Sequence, residues 1–216
     1  MRLWVRSQVD HIEHLDLTLQ GTDRQVLGGQ IPGVSLTAAN AVYRGIHLDS
    51  AAVSARDILI NLGQVVRGKP LRLLQSFSVY GEVMLSQDSL NASLSAPYLA
   101  EGVENFWQTL LSQPPVAAEI EQHYGPAALQ PAPTSTSIQS GRLTLMAGAR
   151  QLRAGLVLHE GHWLGLEQPC WVTPAGDFAS QALQGFCWDL GPETQMETLS
   201  LQPGRLLCVG QLEVRP

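Results

Sequence analysis

The chain has 216 residues, of which 44% are hydrophobic and 15% are charged, and its formal net charge is −6. This length can bury a core without disulfides, and the acidic balance argues against a general nucleic-acid-binding protein. The three cysteines, Cys170, Cys187 and Cys208, form no Cys-x-x-Cys pair, so we predict buried thiols rather than a disulfide framework or a zinc site. No segment approaches about 18 consecutive apolar residues, which predicts no membrane span. From the N-terminus as given, we expect a cytoplasmic protein or one peripheral to a membrane.

Alternation of apolar and polar residues is the dominant pattern along the chain. Leu15, Leu17 and Leu19 alternate with polar residues near the start, and Val79 and Val83 do so further on. A period of two predicts strands with one buried face, so the fold class is predicted as α+β and mostly β. The predicted elements in this pattern are a capped helical turn at 22–25 and strands at 12–20, 33–48, 51–62, 71–85, 138–147, 151–159, 162–172, 184–190, 197–202 and 205–214.

One segment has helical spacing instead. Ser86 is a good N-cap, and the apolar residues that follow recur every three or four positions, which predicts a long helix over about 86–113. Pro97 is predicted to kink or divide this helix because it cannot donate to the preceding turn, and the proline pair that begins at Pro114 is predicted to end it. The proline-containing stretch 130–140 is predicted to be a linker or a mobile loop.

The helix separates two halves of one predicted domain, 1–216. Half 1 spans about 1–85 and half 2 spans about 136–216. Each half contains an apolar residue, Asn or Asp, Leu and Gly, followed further along by a Gly that opens an apolar strand. The two copies are Ile60–Gly63 with Gly81, and Trp188–Gly191 with Gly210. This recurrence predicts two pseudo-repeated halves, while a chance recurrence of glycine pairs remains the alternative.

We predict no catalytic, metal or cofactor site. The chain contains no G-x-S-x-G, P-loop or G-x-G-x-x-G motif. His159 and His162 are one residue closer than the H-E-x-x-H motif requires, and Gly161 between them predicts a hairpin with two rim histidines. Paired carboxylates such as Glu119 and Glu121 are predicted to be solvated.

The segment 64–74 concentrates positive charge in a chain that is otherwise acidic. Arg67, Lys69 and Arg72 alternate there with apolar residues, and Gly68 predicts a turn. Three cations beside apolar residues at a loop tip suit an anionic membrane surface, where each contributes about 1 kcal/mol. The alternative is a charged hairpin tip that keeps the protein soluble.

Several short segments carry a likeness to a known family: 22–29, 60–63, 67–72, 85–91, 189–191 and the closing strand 210–216. Over nearly its whole length the chain resembles the LmeA-like phospholipid-binding proteins, and most closely their cyanobacterial members. The resemblance implies a tubular-lipid-binding-like fold, in which a strongly curved antiparallel sheet wraps around a long helix. It also implies a phospholipid or fatty-acyl ligand in the groove between them and no enzymatic activity.

The groove between helix and sheet is the predicted lipid site. A helix with apolar positions around much of its circumference needs a partner that wraps it, and any gap left is a trough that an acyl chain can fill. If no gap is left, the chain is a packed scaffold or protein-interaction domain, and this alternative stays open. An enzyme, of hydrolase type, is the third hypothesis. The predicted groove residues are Leu90, Leu94, Val103, Phe106, Leu110, Val79 and Val83.

Overall fold

The computed structural model describes residues 10–125 and 132–216. Predictions made for residues 1–9 and 130–131 therefore lie outside the described residues. Of the described residues, 54% are in strands and 21% in helices, which confirms that the chain is mostly β. The strands are β1 (His11–Gln20), β2 (Gln30–Tyr43), β3 (Ile46–Leu59), β4 (Phe77–Ser86), β5 (Ser135–Gln139), β6 (Arg142–Ala147), β7 (Arg150–His159), β8 (Trp163–Thr173), β9 (Gly176–Ala179), β10 (Cys187–Asp189), β11 (Thr194–Gln202) and β12 (Arg205–Val214).

Five helices accompany the strands in the described part of the chain. The first is the predicted capped turn, because the Thr22 hydroxyl accepts from Gln25 N at 3.4 Å and the Gln25 side chain accepts from Thr22 N at 2.9 Å. This reciprocal pair is a capping box, which satisfies two backbone donors that the helix leaves open. The helices are α1 (Asp23–Leu27), α2 (Leu62–Val65), α3 (Gln87–Ser93), α4 (Pro97–Leu111) and α5 (Pro114–Tyr124).

The helix predicted over 86–113 is two helices. Ser86 caps α3, and its hydroxyl accepts from Ser89 N at 3.2 Å. Pro97 divides the segment because it occupies the first turn of α4, where a missing N–H costs nothing. Helix α4 ends at Leu111, just before the proline pair that was predicted to end it, but Pro114 then opens a further helix, α5, from the same kind of position.

The first antiparallel sheet has six strands in the order β1, β2, β3, β4, β12 and β11. Its first four strands are neighbours in chain order, with a tight turn between β2 and β3 and a short helix in each of the other two connections, and β12 then returns from the far end of the chain to pair with β4. In this pairing Gly81 lies directly opposite Gly210. The glycines of the two predicted motif copies are therefore direct partners, while the duplication of the halves stays a prediction.

The second antiparallel sheet carries the larger core. Its strands run in the order β10, β8, β7, β6 and β5, and β9 pairs with β8. Helices α4 and α5 contribute to a single cluster with this sheet, in which Trp107, Leu110 and Trp171 are fully buried. The two tryptophan rings meet edge to face, with centroids 6.2 Å apart and planes at 75°. The remaining buried members are Phe106, Leu111, Val116, Ile120, Ala147, Leu152, Ala154, Leu166, Leu183 and Phe186.

The two sheets meet at α3 and β5. Asn91 Nδ2 of α3 donates to Thr136 O at 3.0 Å, and Thr136 N donates back to Asn91 Oδ1 at 2.6 Å. Ile138 N donates to Gln87 Oε1 at 2.8 Å, and Ile138 O accepts from Gly204 N at 3.1 Å. A small second core forms at this junction from Leu85, Leu90 and Ile138. The strands thus divide between two sheets, and a single curved sheet wrapped around one helix stays a prediction.

Two predicted strands are wrong because each contains a tight turn. The prediction 33–48 spans the turn Arg44–Gly45, and the prediction 138–147 spans the turn Ser140–Gly141. In both turns the two central residues have positive φ, 51° and 80° in the first and 51° and 73° in the second. Two-residue hairpins of this kind match the twist of the flanking strands. The predicted linker 130–140 therefore contains a strand, because its residues Ser135–Gln139 form β5.

The predicted strand 71–85 is also wrong in its first part. Residues 71–76 contribute only an isolated bridge, between Leu73 and Ile60. The side chain of Asn61 holds this part as a loop through hydrogen bonds to its backbone. The predicted strand 184–190 shortens to the three residues of β10 for lack of further partners on β8.

Candidate functional site

One face of the first sheet is apolar across all six strands. Directly opposed residues of an antiparallel sheet lie on the same face, so the strand register defines rows of side chains. The central row is Leu17, Leu36, Val53, Gly81, Gly210 and Met196. The flanking rows are Leu15, Ala38, Ala51, Val83, Cys208 and Leu199 on one side, and Leu19, Val34, Ala55, Val79, Leu212 and Thr194 on the other. Thr194 is the single polar position in these three rows, which we call the apolar sheet face.

The opposite face of the same sheet is polar. The row that alternates with the central one begins at Thr18 on β1 and ends at Gln195 on β11. Between them it contains Ser35, Ser54, Tyr80 and Gln211. This contrast means that the sheet separates water on one side from an apolar environment on the other.

Helices cover little of the apolar sheet face. Helix α3 packs at one end of it, where the Ser93 hydroxyl accepts from His47 N at 2.8 Å. Leu17, Leu36 and Val53 in the central row are only half-buried, and Leu212 is 48% exposed. Cys208, in a flanking row, is half-buried, and its burial raises the pKa of the thiol to about 11. In the described residues, no helix is seated on the centre of this face.

Two glycines leave a depression in the middle of this face. A Cβ at Gly81 would meet only Val53 Cγ2 at 3.9 Å and Ala52 O at 4.0 Å, so open space lies above it. A Cβ at the opposed Gly210 would approach Gln195 O to 2.7 Å, so this glycine permits the close approach of β11. Only Gly81 can therefore accept a larger side chain without moving the backbone.

A second apolar surface is a trough between α4 and the second sheet. Its volume is about 200 Å³, it is open to solvent on one side, and its lining is almost entirely apolar. An engineered cavity of about 150 Å³ with such a lining stays dry and binds benzene, so this trough can hold a segment of a hydrocarbon chain. The lining residues are Leu99, Gly102, Val103, Phe106, Leu143, Leu145, Leu152, Ala154, Leu156, Leu164, Leu166 and Trp188.

The trough and the apolar sheet face adjoin one core cluster. Leu99 and Leu143 line the trough and also pack against the small core at the junction of the sheets. Val83, which belongs to the apolar sheet face, packs against the same core. Apolar contacts therefore link the first sheet, through this junction, to the trough beside α4.

Of the seven predicted groove residues, four lie on the trough or the apolar sheet face and three are buried. Val103 and Phe106 line the trough, and Val79 and Val83 lie on the apolar sheet face. Leu90 and Leu94 are buried in and beside the junction, and Leu110 is fully buried in the larger core. The predicted groove set omitted Leu99, which lies on α4 one turn before Val103, and it omitted Leu143 and Trp188, which come from strands whose contacts depend on the tertiary fold.

The chain matches a known protein family over nearly its whole length. The profile of the family described as LmeA-like phospholipid-binding matches residues 1–211. The chain belongs to this family. No curated protein and no solved structure gives a significant match.

The polar residues considered as possible catalytic or metal-binding groups in this LmeA-like chain have structural roles or lie on the rim. Glu119, predicted to be solvated, is half-buried, and it accepts hydrogen bonds from the Ser180 hydroxyl and, at 2.9 Å, from Ala182 N. It therefore fixes α5 to the loop that follows β9. His159 ends β7 and His162 lies in the hairpin before β8, as predicted for rim histidines. In the two described segments, no three His, Cys, Asp or Glu side chains converge as a metal site would require.

The predicted membrane-contact residues Arg67, Lys69 and Arg72 lie together in the loop that follows α2. All three are exposed, and within the described residues none has a side-chain hydrogen bond or an ion pair. They lie apart from the trough and do not line it. Among the helices described, none has the length and the apolar content that crossing a membrane requires.

Proposed function

We propose that the chain binds phospholipid non-enzymatically, as one domain, with the acyl chains on the surface formed by the apolar sheet face and the trough. The observation that carries this proposal is that the apolar sheet face and the apolar trough both adjoin the small core at the junction of the sheets. Membership of the LmeA-like phospholipid-binding family supports the choice of ligand. In this proposal the first sheet curves around the acyl chains, as tubular-lipid-binding-like folds do.

The energetics favour hydrocarbon as the occupant. Each methylene transferred from water contributes about 0.8 kcal/mol, so even a short acyl segment in the trough contributes several kcal/mol. The lining offers no hydrogen-bond donor that a phosphate requires, so the headgroup would remain at the solvent-exposed opening. Affinity would then depend on chain length more than on headgroup identity.

Two glycines allow the surface to be filled without breaking the fold. A Cβ at Gly102, on α4, would meet no atom within 4 Å, and the residue lines the trough. Gly102→Leu should therefore occupy the trough, while the loss of a helix-interior glycine stabilises α4 by about 1 kcal/mol. Gly81→Leu should fill the depression on the apolar sheet face in the same way. Gln108→Leu, on the exposed side of α4, is the matched control.

The assay is native mass spectrometry of each protein purified from a lipid-containing host, with thermal unfolding as a check of folding. Wild type and Gln108→Leu should retain a phospholipid mass. Gly102→Leu and Gly81→Leu should lose most of it while their lipid-free forms stay folded. If Gly102→Leu and Gly81→Leu carry as much phospholipid as wild type, the proposed site is refuted. A wild type that carries none, even after incubation with phospholipid, would favour the packed scaffold.

A further inference from the structure

Three segments meet at one end of the first sheet: α1, α2 and the loop 66–76. Ile60 N donates to Gly29 O at 2.9 Å, which joins the end of β3 to the residues that follow α1. Asn61 is 5% exposed, and its side chain donates to Pro70 O at 2.9 Å and accepts from Arg72 N at 2.7 Å. A buried amide thus holds the loop in one shape beside the two short helices. We call this end the basic tip.

The basic tip exposes aliphatic side chains to an unusual degree. Leu27 is 73% exposed and Val66 is 84% exposed, and Leu71 and Leu74 are 51% and 53% exposed. Among the described residues only one other aliphatic side chain, Leu212, belongs to the strongly exposed group. Exposed apolar side chains scattered singly need no explanation, but four at one end of the molecule indicate an interaction surface.

The charge of the basic tip is predominantly positive. Residues 61–76 contain Arg67, Lys69 and Arg72 and no acidic residue, and α1 adds one residue of each sign, Asp23 and Arg24, whereas the whole chain has a net charge of −6. The three cations are exposed and make no ion pair with any described residue. They are therefore free to bind anions outside the protein.

We propose that the basic tip docks the protein on an anionic lipid bilayer, with the four aliphatic side chains in the boundary between headgroups and acyl chains and the three cations on lipid phosphates or carboxylates. Charge complementarity favours this partner, because an acidic protein otherwise repels an anionic surface. Aliphatic side chains with cations beside them at the end of a domain match the composition of interfacial membrane anchors. The proposal goes beyond lipid binding in the groove and does not depend on it, because the tip residues do not line the trough.

The test is flotation with vesicles of phosphatidylcholine mixed with phosphatidylserine, and with vesicles of phosphatidylcholine alone. Wild type should bind the mixed vesicles, and binding should weaken as salt is added because ions screen exposed charges. The triple variant R67Q/K69Q/R72Q should weaken binding by about a hundredfold at most, since each cation contributes roughly fivefold. The double variant V66S/L71S should weaken binding to the mixed vesicles even where its charges are intact.

Arg205→Gln and Tyr43→Ser remove an exposed cation and an exposed aromatic ring away from the basic tip, and both should bind like wild type. All tip variants should keep the wild-type phospholipid content in native mass spectrometry, which separates failure of docking from failure of the groove. Asn61→Ala, which frees the loop, should weaken docking while all three cations remain. Docking that is independent of salt, equal on phosphatidylcholine alone, or unchanged in both tip variants would overturn the proposal.

Discussion

Replacing Phe106 by alanine distinguishes a lipid-filled trough from a packed core. Phe106 is 8% exposed, and its ring meets Phe186 and Trp188 edge to face at centroid distances of 5.8 and 5.5 Å. Truncation of a core phenylalanine costs about 3–5 kcal/mol. One side of this ring borders the trough, where the lipid-free protein already lacks contacts. We therefore expect the lower end of the range, about 3 kcal/mol, for the lipid-free protein.

The cost should fall when lipid occupies the trough. An acyl chain that moves into the vacated space buries two or three further methylenes, each worth about 0.8 kcal/mol. Tighter binding to the native state offsets the lost packing, so the apparent cost should fall to about 1 kcal/mol. Wild type itself should be more stable with lipid than without, since a ligand that binds only the native state stabilises it by mass action.

Leu110→Ala is the matched control on the same helix. Leu110 is fully buried and does not line the trough, so its truncation should cost about 2–5 kcal/mol with or without lipid. The measurement is urea unfolding of the three proteins before and after detergent delipidation. If Phe106→Ala costs the same in both forms, or if delipidation releases lipid but leaves the wild-type midpoint unchanged, lipid does not occupy the trough.

Two further predictions concern the junction of the sheets and the apolar sheet face. Asn91→Ala leaves the backbone N–H and C=O of the buried Thr136 without their side-chain partner. Urea unfolding should show that this change costs about 1–3 kcal/mol of stability. The control Asn105→Ala, on the exposed side of α4, should change stability by less than about 0.5 kcal/mol. Because burial raises the pKa of Cys208 to about 11, its thiolate at pH 8 is more than about a hundredfold rarer than that of an ordinary thiol, and iodoacetamide should modify the exposed Cys187 far sooner. Equal modification rates measured by peptide mass spectrometry would contradict the water-poor environment of Cys208.

The strands of the first sheet could be predicted because one of their faces is apolar and the other polar. Period two is a local signal, and it survives wherever a strand is half-covered. The turn Arg44–Gly45 was not predicted, because Arg44 adopts a positive φ and turns of this kind usually have Gly, Asn or Asp at such positions. Helix α5 was not predicted from the sequence. A proline pair can follow the end of one helix or occupy the first turn of the next, and the sequence pattern alone does not separate these cases.

The candidate site could be predicted only in part, because periodicity shows which side of an element is apolar but not which sheet it meets. Val103 and Phe106, two of the predicted groove residues, line the trough, and their contact with lipid stays a prediction. Leu110, one turn further along the same side, is sealed in the core. The apolar sheet face depends on the pairing of β4 with β12, which the chain makes between distant segments, so no local pattern specifies it.

The unequal cover of the two sheets is the strongest physical reason to expect a ligand. Both sheets carry an apolar side, yet α4 and α5 bury that of the second sheet to the point where Trp107 and Trp171 lose all exposure. In the first sheet α3 packs at one end of the apolar face, and in the described residues the central row of that face stays half-exposed. Apolar area that a fold leaves open gains free energy from whatever apolar molecule covers it, at about 25 cal/mol per Å². If lipid covers the apolar area that the helices leave open, the stability of the protein and its lipid content should change together.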